Sequence, residues 1–205
     1  MKKVQIFVEG IADAKLIQDL VKNWYSIDLT IGKQGNEVVN PDIILVGGKD
    51  GIVAFSQTFL TNRILKIENI IIFDADVFKE ESTRFIQYTK TLPINYFLLP
   101  DNQANGDLET LLEQIITDDN KFMFECWDDF INCLESSQVD TLFLPSRKKK
   151  IYTYLELLLG EESSSQELKK ERGRNYQNPN HWNLDSPILQ NLKQFLDTYF
   201  LNNND

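Results

Sequence analysis

The chain has 205 residues, 42% of them hydrophobic and 25% charged, the balance of a soluble globular domain with a full core. A formal net charge of −10 argues against a general nucleic-acid coating protein, which should be basic. It leaves a nuclease open, because bound divalent ions invert the local field.

Two cysteines and one histidine exclude a disulfide framework and make a structural zinc site improbable. Cys126 and Cys133, seven apart on an expected helix, read as reduced core residues. No apolar run reaches the ~20 residues of a membrane span. The start MKKVQIFVEG is basic, but its apolar stretch is too short for a signal peptide and Glu9 interrupts it. The expectation is a cytoplasmic protein with no membrane contact.

Residues 3–8, KVQIFV, predict a first strand, and the apolar spacing of Ala14, Leu16, Ile17, Leu20 and Val21 predicts a helix over 12–23. The polar stretch 26–40 has room for a short strand at IDLTI. DIILV at 42–46 is a second strand, closed by Gly47-Gly48, and 50–65 reads as a helix. NIIIF at 69–73 is a continuous apolar run, suited to a strand buried on both faces. A helix over 78–89, a strand over 94–98 and helices over 107–116 and 121–134 follow. Strand alternating with helix predicts an α/β fold, a parallel sheet with helices on both faces.

After residue 145 the strands stop. Residues 146–159 predict a helix, 160–180 a mobile polar loop, and Ser186-Pro187 the start of a last helix with an apolar face at Leu189, Leu192, Phe195, Leu196 and Tyr199. The terminal NNND should fray. The predicted organisation is a catalytic domain over 1–140 and a helical extension of the same domain over 141–205. Two basic runs stand out: Arg147 to Lys150, and Lys169, Lys170, Arg172 and Arg174. The second reads as a solvated surface.

Three acidic signatures carry the chemistry: VEG at 8–10, FDAD at 73–76 and GDLE at 106–109. In open α/β sheets, ligands gather outside the carboxyl ends of the strands, where Glu9 belongs. Gly10 allows close backbone approach. Asp13 is either a helix-dipole residue or a supporting group of the site. Asp74 and Asp76, on an extended strand, point the same way. Side-by-side carboxylates at a buried strand end are costly without a cation, and hard oxygen ligands favour Mg²⁺ or Mn²⁺. The plainer reading of Asp76 is a cap on the following helix. Asp107 is an expected N-cap, and Glu109, on spacing alone, is structural.

In this order, Glu-Gly at the first strand end, the segment Gly47-Gly48-Lys49-Asp50, Asp-X-Asp on a later strand and Asp-Leu-Glu downstream resemble the Toprim domain over roughly residues 3–116. LPDNQANGDLE at 99–109, KKKIYTYLE at 148–156 and HWNLDSP at 181–187 extend the resemblance, to small stand-alone OLD-like Toprim proteins of unassigned function, over nearly the whole chain. The resemblance implies a Toprim-like sheet with a C-terminal helical extension packed on it. It implies a Mg²⁺- or Mn²⁺-dependent nuclease or related phosphotransferase, with one or two ions, acting on phosphodiesters of DNA in preference to RNA. Glu9 is then a metal ligand or general acid/base, and Asp74 and Asp76 are the metal pair. Asp107 and Glu109 serve a second ion, and a lysine of 148–150, with Lys148 and Lys150 as the candidates, lies near the phosphate. Gly10, Asp13, Lys49 and His181 support the site or touch substrate. No G-x-x-x-x-G-K-[ST] occurs, so the chain itself should not hydrolyse ATP. A separately encoded ATPase partner and a homo-oligomer fit the resemblance without any residue demanding them.

Two other readings compete. One is a Toprim module that binds metal, nucleic acid or a partner without cutting. The other is a haloacid-dehalogenase-like phosphatase with Asp74 as nucleophile, although Val77-Phe78 stand where that family has a hydroxyl. Trp182 and Tyr176 either stack bases or anchor the tail onto the core. The lone His181 is either structural or close to the phosphate.

Overall fold

The computed structural model describes residues 3–32, 40–137, 139, 141–160 and 170–201. Four parallel strands, β1 (Lys3–Val8), β2 (Ile43–Leu45), β3 (Ile67–Asp74) and β4 (Asn95–Leu99), form one sheet in the order β2-β1-β3-β4. Ile6 is in register with Ile70 and with Ile43, and Ile72 with Phe97. Parallel strands bring every carboxyl end to one edge. The fold is the α/β parallel sheet flanked by helices that the alternating pattern predicts.

Side chains alternate between the two sheet faces. Ile6, Val8, Ile70, Ile72, Phe97 and Leu99 join the larger core. It includes Leu16 and Leu20 of α1 (Ile11–Tyr25), Leu111 of α4 (Leu108–Gln114) and Ile151 of α6 (Arg147–Leu159). Phe7, Ile71, Phe73 and Leu98 face the other way, onto Phe59 of α2 (Ser56–Ile64) and Phe85 of α3 (Phe78–Thr91). The central strands are thus buried on both sides, which is why NIIIF is apolar without interruption.

Several local expectations change. IDLTI forms only an isolated bridge, Ile31 to Ile43. The expected 50–65 helix is divided into a 3-10 stretch, Lys49–Phe55, followed by α2. Ser186 is not a side-chain cap: its hydroxyl donates to the Gln114 carbonyl at 3.1 Å, and a 3-10 turn, Pro187–Leu189, leads into α7 (Gln190–Phe200). The fraying expected for the tail falls on residues outside those described, as does the stretch 33–39.

Cys126 and Cys133 are free but exposed, not core. They lie on α5 (Lys121–Ser136), where only Phe124 is buried. The seven-residue spacing aligns the two thiols on the opposite side from α6. The expected mobile loop over 160–180 is corrected where it is described. The 3-10 turn Glu171–Gly173 lies against α1, and Arg174 and Tyr176 are buried. Arg174 therefore leaves the basic run expected to be solvated. Residues 161–169 of that loop lie outside the described set.

Trp182 and Tyr176 anchor the C-terminal segment. The Trp182 ring lies 5.4 Å from Tyr154 and 5.2 Å from Tyr176, and the Tyr176 N–H donates to Asp19 of α1 at 2.9 Å. No helix among the described residues is long and apolar enough to cross a membrane.

Candidate functional site

At the carboxyl edge, Glu9 and Gly10 join β1 to α1, and Asp74 ends β3. Glu9, Asp13, Asp74, Glu109, Lys148 and Glu171 line one cavity of about 310 Å³. Three carboxylates in it share one mode of attachment. Asp13 accepts the Gly10 N–H at 2.9 Å, Glu9 the Asp74 N–H at 3.2 Å and Asp74 the Leu108 N–H at 2.8 Å. Each is therefore fixed by backbone through one oxygen. The other oxygen of Asp13, Oδ1, is buried and has no hydrogen-bond partner.

The electrostatics follow from this crowding. Burial, and then Asp13, Glu9 and Asp107 as neighbours, push Asp74 up from 3.8 to about 8. Burial, with Glu9 and Glu109 adding to it, raises Asp13 to about 7. Burial also raises Glu9, while Lys49 and the Asp74 N–H oppose the shift. These are anions that desolvation and mutual repulsion disfavour.

Asp13 is more than the helix-dipole residue its position allows. It reaches back to the Gly10 N–H as in a capping box, yet Oδ1 remains buried and unmatched on a residue that lines the cavity. Gly10 itself has φ −143°, which any residue adopts, and a Cβ there would meet Asp13 Oδ2 at 3.4 Å, an ordinary contact. The protein's own packing therefore does not require glycine here, and Gly10 lines the cavity.

Asp76 does not share a side with Asp74. The strand ends at Asp74, Ala75 is buried, and Asp76 has φ +46°. Its carboxylate pairs with Lys49, and its backbone exchanges hydrogen bonds with Gly106. It does not line the cavity, although its charge reaches Glu9. Nor does it cap α3, whose N-cap is Val77; Asn105 accepts the Phe78 N–H instead. Lys49 is therefore at the site's margin as a counter-charge.

Asp107 caps α4. It accepts the Thr110 N–H at 2.7 Å and pairs with Arg147 at 3.1 Å. It acts on Asp74 as a charge but does not line the cavity. Glu109, in the first turn of α4, does line it. Of the lysines, Lys148 faces the cavity and Lys150 does not. Two residues are ~200° apart on a helix, so Lys150 is buried, paired with Asp128 at 2.7 Å and set 4.6 Å from the Phe124 ring centre. Its expected catalytic role is corrected to a structural one.

His181 is also displaced from its expected role. It is buried in the C-terminal segment, its carbonyl accepting from Tyr154 at 2.5 Å and its ring beside Asn178 at 3.2 Å. It does not line the cavity. One cavity residue escapes sequence reasoning altogether. Glu171 sits in a polar stretch with no periodicity, and only its fold against α1 brings it in.

The donor set is all hard oxygen, the chemistry of Mg²⁺ or Mn²⁺. No group of three or more His, Cys, Asp or Glu side chains among the described residues is drawn together tightly enough to hold an ion as it stands. The orphaned Asp13 Oδ1, beside Asp74 and Glu9, is nevertheless what a hard cation would match.

A family model described as a protein of unknown function (DUF3226) matches residues 3–201. The chain belongs to that family. No curated protein and no solved structure matches it. The family match runs from β1 to the end of α7, so strand-edge carboxylates and C-terminal segment belong to one family unit.

Proposed function

We propose that this chain is a divalent-metal-dependent, Toprim-like phosphodiesterase acting on nucleic acid. The observation that carries the reading is the set Glu9, Asp13 and Asp74, each fixed by a backbone N–H and all lining one cavity, with the Asp13 Oδ1 buried and unmatched. Anchored carboxylates with spare oxygens at the carboxyl edge of a parallel sheet are suited to a cation. Glu9, Asp13 and Asp74 would hold the first ion, and Glu109 would serve a second. A bound Mg²⁺ or Mn²⁺ supplies positive charge that activates water and stabilises the phosphoryl oxygens in an in-line displacement.

The chain's own residues supply the rest. Lys148 offers an ammonium to the phosphate and offsets charge that grows as the bond breaks. Lys49, paired with Asp76 and opposing the rise of Glu9, keeps Glu9 closer to its ionised form.

The experiment is Mn²⁺-supported cleavage of single- and double-stranded DNA and of RNA, with Asp74→Asn as the comparison. Activity in the native chain and its loss by at least about 100-fold in the variant is the expected result. Equal cleavage by both proteins ends the proposal. Metal binding without turnover on any of these substrates would favour the binding-module reading.

A further inference from the structure

Glu171 opens the 3-10 turn Glu171–Gly173 that lies against α1. Its carboxylate enters a cavity already lined by Glu9, Asp13, Asp74 and Glu109. What holds an anion among anions is an ion pair with Lys148, the cation that faces the same cavity. The carboxylate therefore sits where a phosphate contacting Lys148 would have to go.

A second cation follows three residues on in the same turn, where the Arg174 N–H donates to the Glu171 carbonyl at 3.2 Å. Arg174 is 1% exposed. Its Nη1 donates to the Tyr176 hydroxyl at 3.2 Å, and its guanidinium lies 4.9 Å from the ring centre of Tyr152. Its Nε and Nη2 have no hydrogen-bond partner among the described residues. Tyr152 is one turn beyond Lys148 on α6, so the two cations lie along one face of that helix. The Glu171 charge acts on both. One carboxylate is thus ion-paired with Lys148 and makes no ion pair with Arg174, whose two donors are buried and unmatched. Buried donors without acceptors are disfavoured, and a state that supplies an acceptor relieves part of that cost.

We propose that Glu171 is a placeholder for substrate phosphate: it occupies Lys148 in the free protein, and an entering phosphoryl group displaces it toward the unmatched donors of Arg174. The ligand class is a phosphate mono- or diester anion, and the proposal rests on the phosphodiester reading of the cavity. It makes the C-terminal segment part of substrate entry. No bond is made or broken; the step exchanges one anion for another on Lys148.

The test is calorimetric titration with inorganic phosphate in Mg²⁺ buffer, using the full chain. Removing the competing charge with Glu171→Gln should tighten Kd by about two- to fivefold, the range of a partly exposed ion pair. Glu171→Ala serves as a second variant, and unchanged thermal melting shows that both fold. In a Lys148→Met background the gain should vanish, because there is no cation left to release. A Kd that weakens, stays unchanged, or tightens equally without Lys148 overturns the proposal. The two readings fail separately. Phosphate binding of the expected pattern without cleavage of any nucleic acid removes the nuclease and keeps the placeholder. Mn²⁺-supported cleavage with a Kd indifferent to Glu171 does the reverse.

Discussion

At the scale of single residues, the site is built from charge held in an unfavourable state. Asp13 is raised to about 7 and Asp74 to about 8, so the folded chain binds these protons more tightly than the unfolded one. Between the unfolded value of 3.8 and the raised values the native state carries the excess protons. Stability contributed by these groups then falls as pH rises, and the loss is complete above the folded values. Asp74→Asn should therefore match the native chain near pH 4 in chelator. It should exceed it by about 1–3 kcal/mol near pH 8, a figure reduced for coupling among the carboxylates. Urea melts across that range check it; parallel stability curves would count against a buried, crowded Asp74. Mn²⁺ should offset the loss in the native chain at high pH but not in the variant.

At the scale of elements, the site depends on how α4 and α6 are set against the strand ends. Gly106 precedes α4 with φ +148°, and a Cβ there would lie 2.8 Å from Thr110 Oγ1. The close approach lets Gly106 pair with Asp76 while the Leu108 N–H reaches Asp74. Gly106→Ala should cost about 1–3 kcal/mol, from the strained backbone and the clash, and should weaken Mn²⁺ binding with it. Arg147 ties α6 to α4 through Glu113 at 3.0 Å and Asp107 at 3.1 Å, which sets the helical phase of Lys148. The lysines of α6 should then separate by function. Lys148→Met should lose cleavage while melting normally. Lys150→Met should keep cleavage within about threefold, because Lys150 does not line the cavity and its partner Asp128 is exposed, so no buried charge is left unpaired there. Equal loss of activity in the two variants would place both lysines at the cavity.

At the scale of the whole molecule, the C-terminal segment is part of the core that supports the site. Trp182, Tyr176 and Tyr154 pack with α1 and α4 residues in the larger core, and Asp19, Tyr176, Asp197 and Tyr25 cross-link α1 to that segment. Trp182→Ala should cost about 3–5 kcal/mol, measured by thermal melting, and should loosen the face that presents Glu171. By itself the sequence determined the strand–helix alternation, the two-sided burial of the central strands and the place of Glu9 and Asp74 at one edge. Those are local: period, apolar run length and turn residues report them within a few positions. It also ordered the acidic signatures that give the Toprim resemblance. Tertiary structure alone decided which acidic and basic groups share a cavity. Asp76 turns away because a left-handed residue after β3 breaks the strand's alternation. Lys150 turns away because helical phase, fixed by docking on α5, buries it. Asp13 gains its unmatched oxygen, and Glu171 and Arg174 their positions, from contacts between segments far apart in the chain. A sequence pattern reports what a residue's neighbours along the chain require; the meeting of distant side chains is settled only when elements pack.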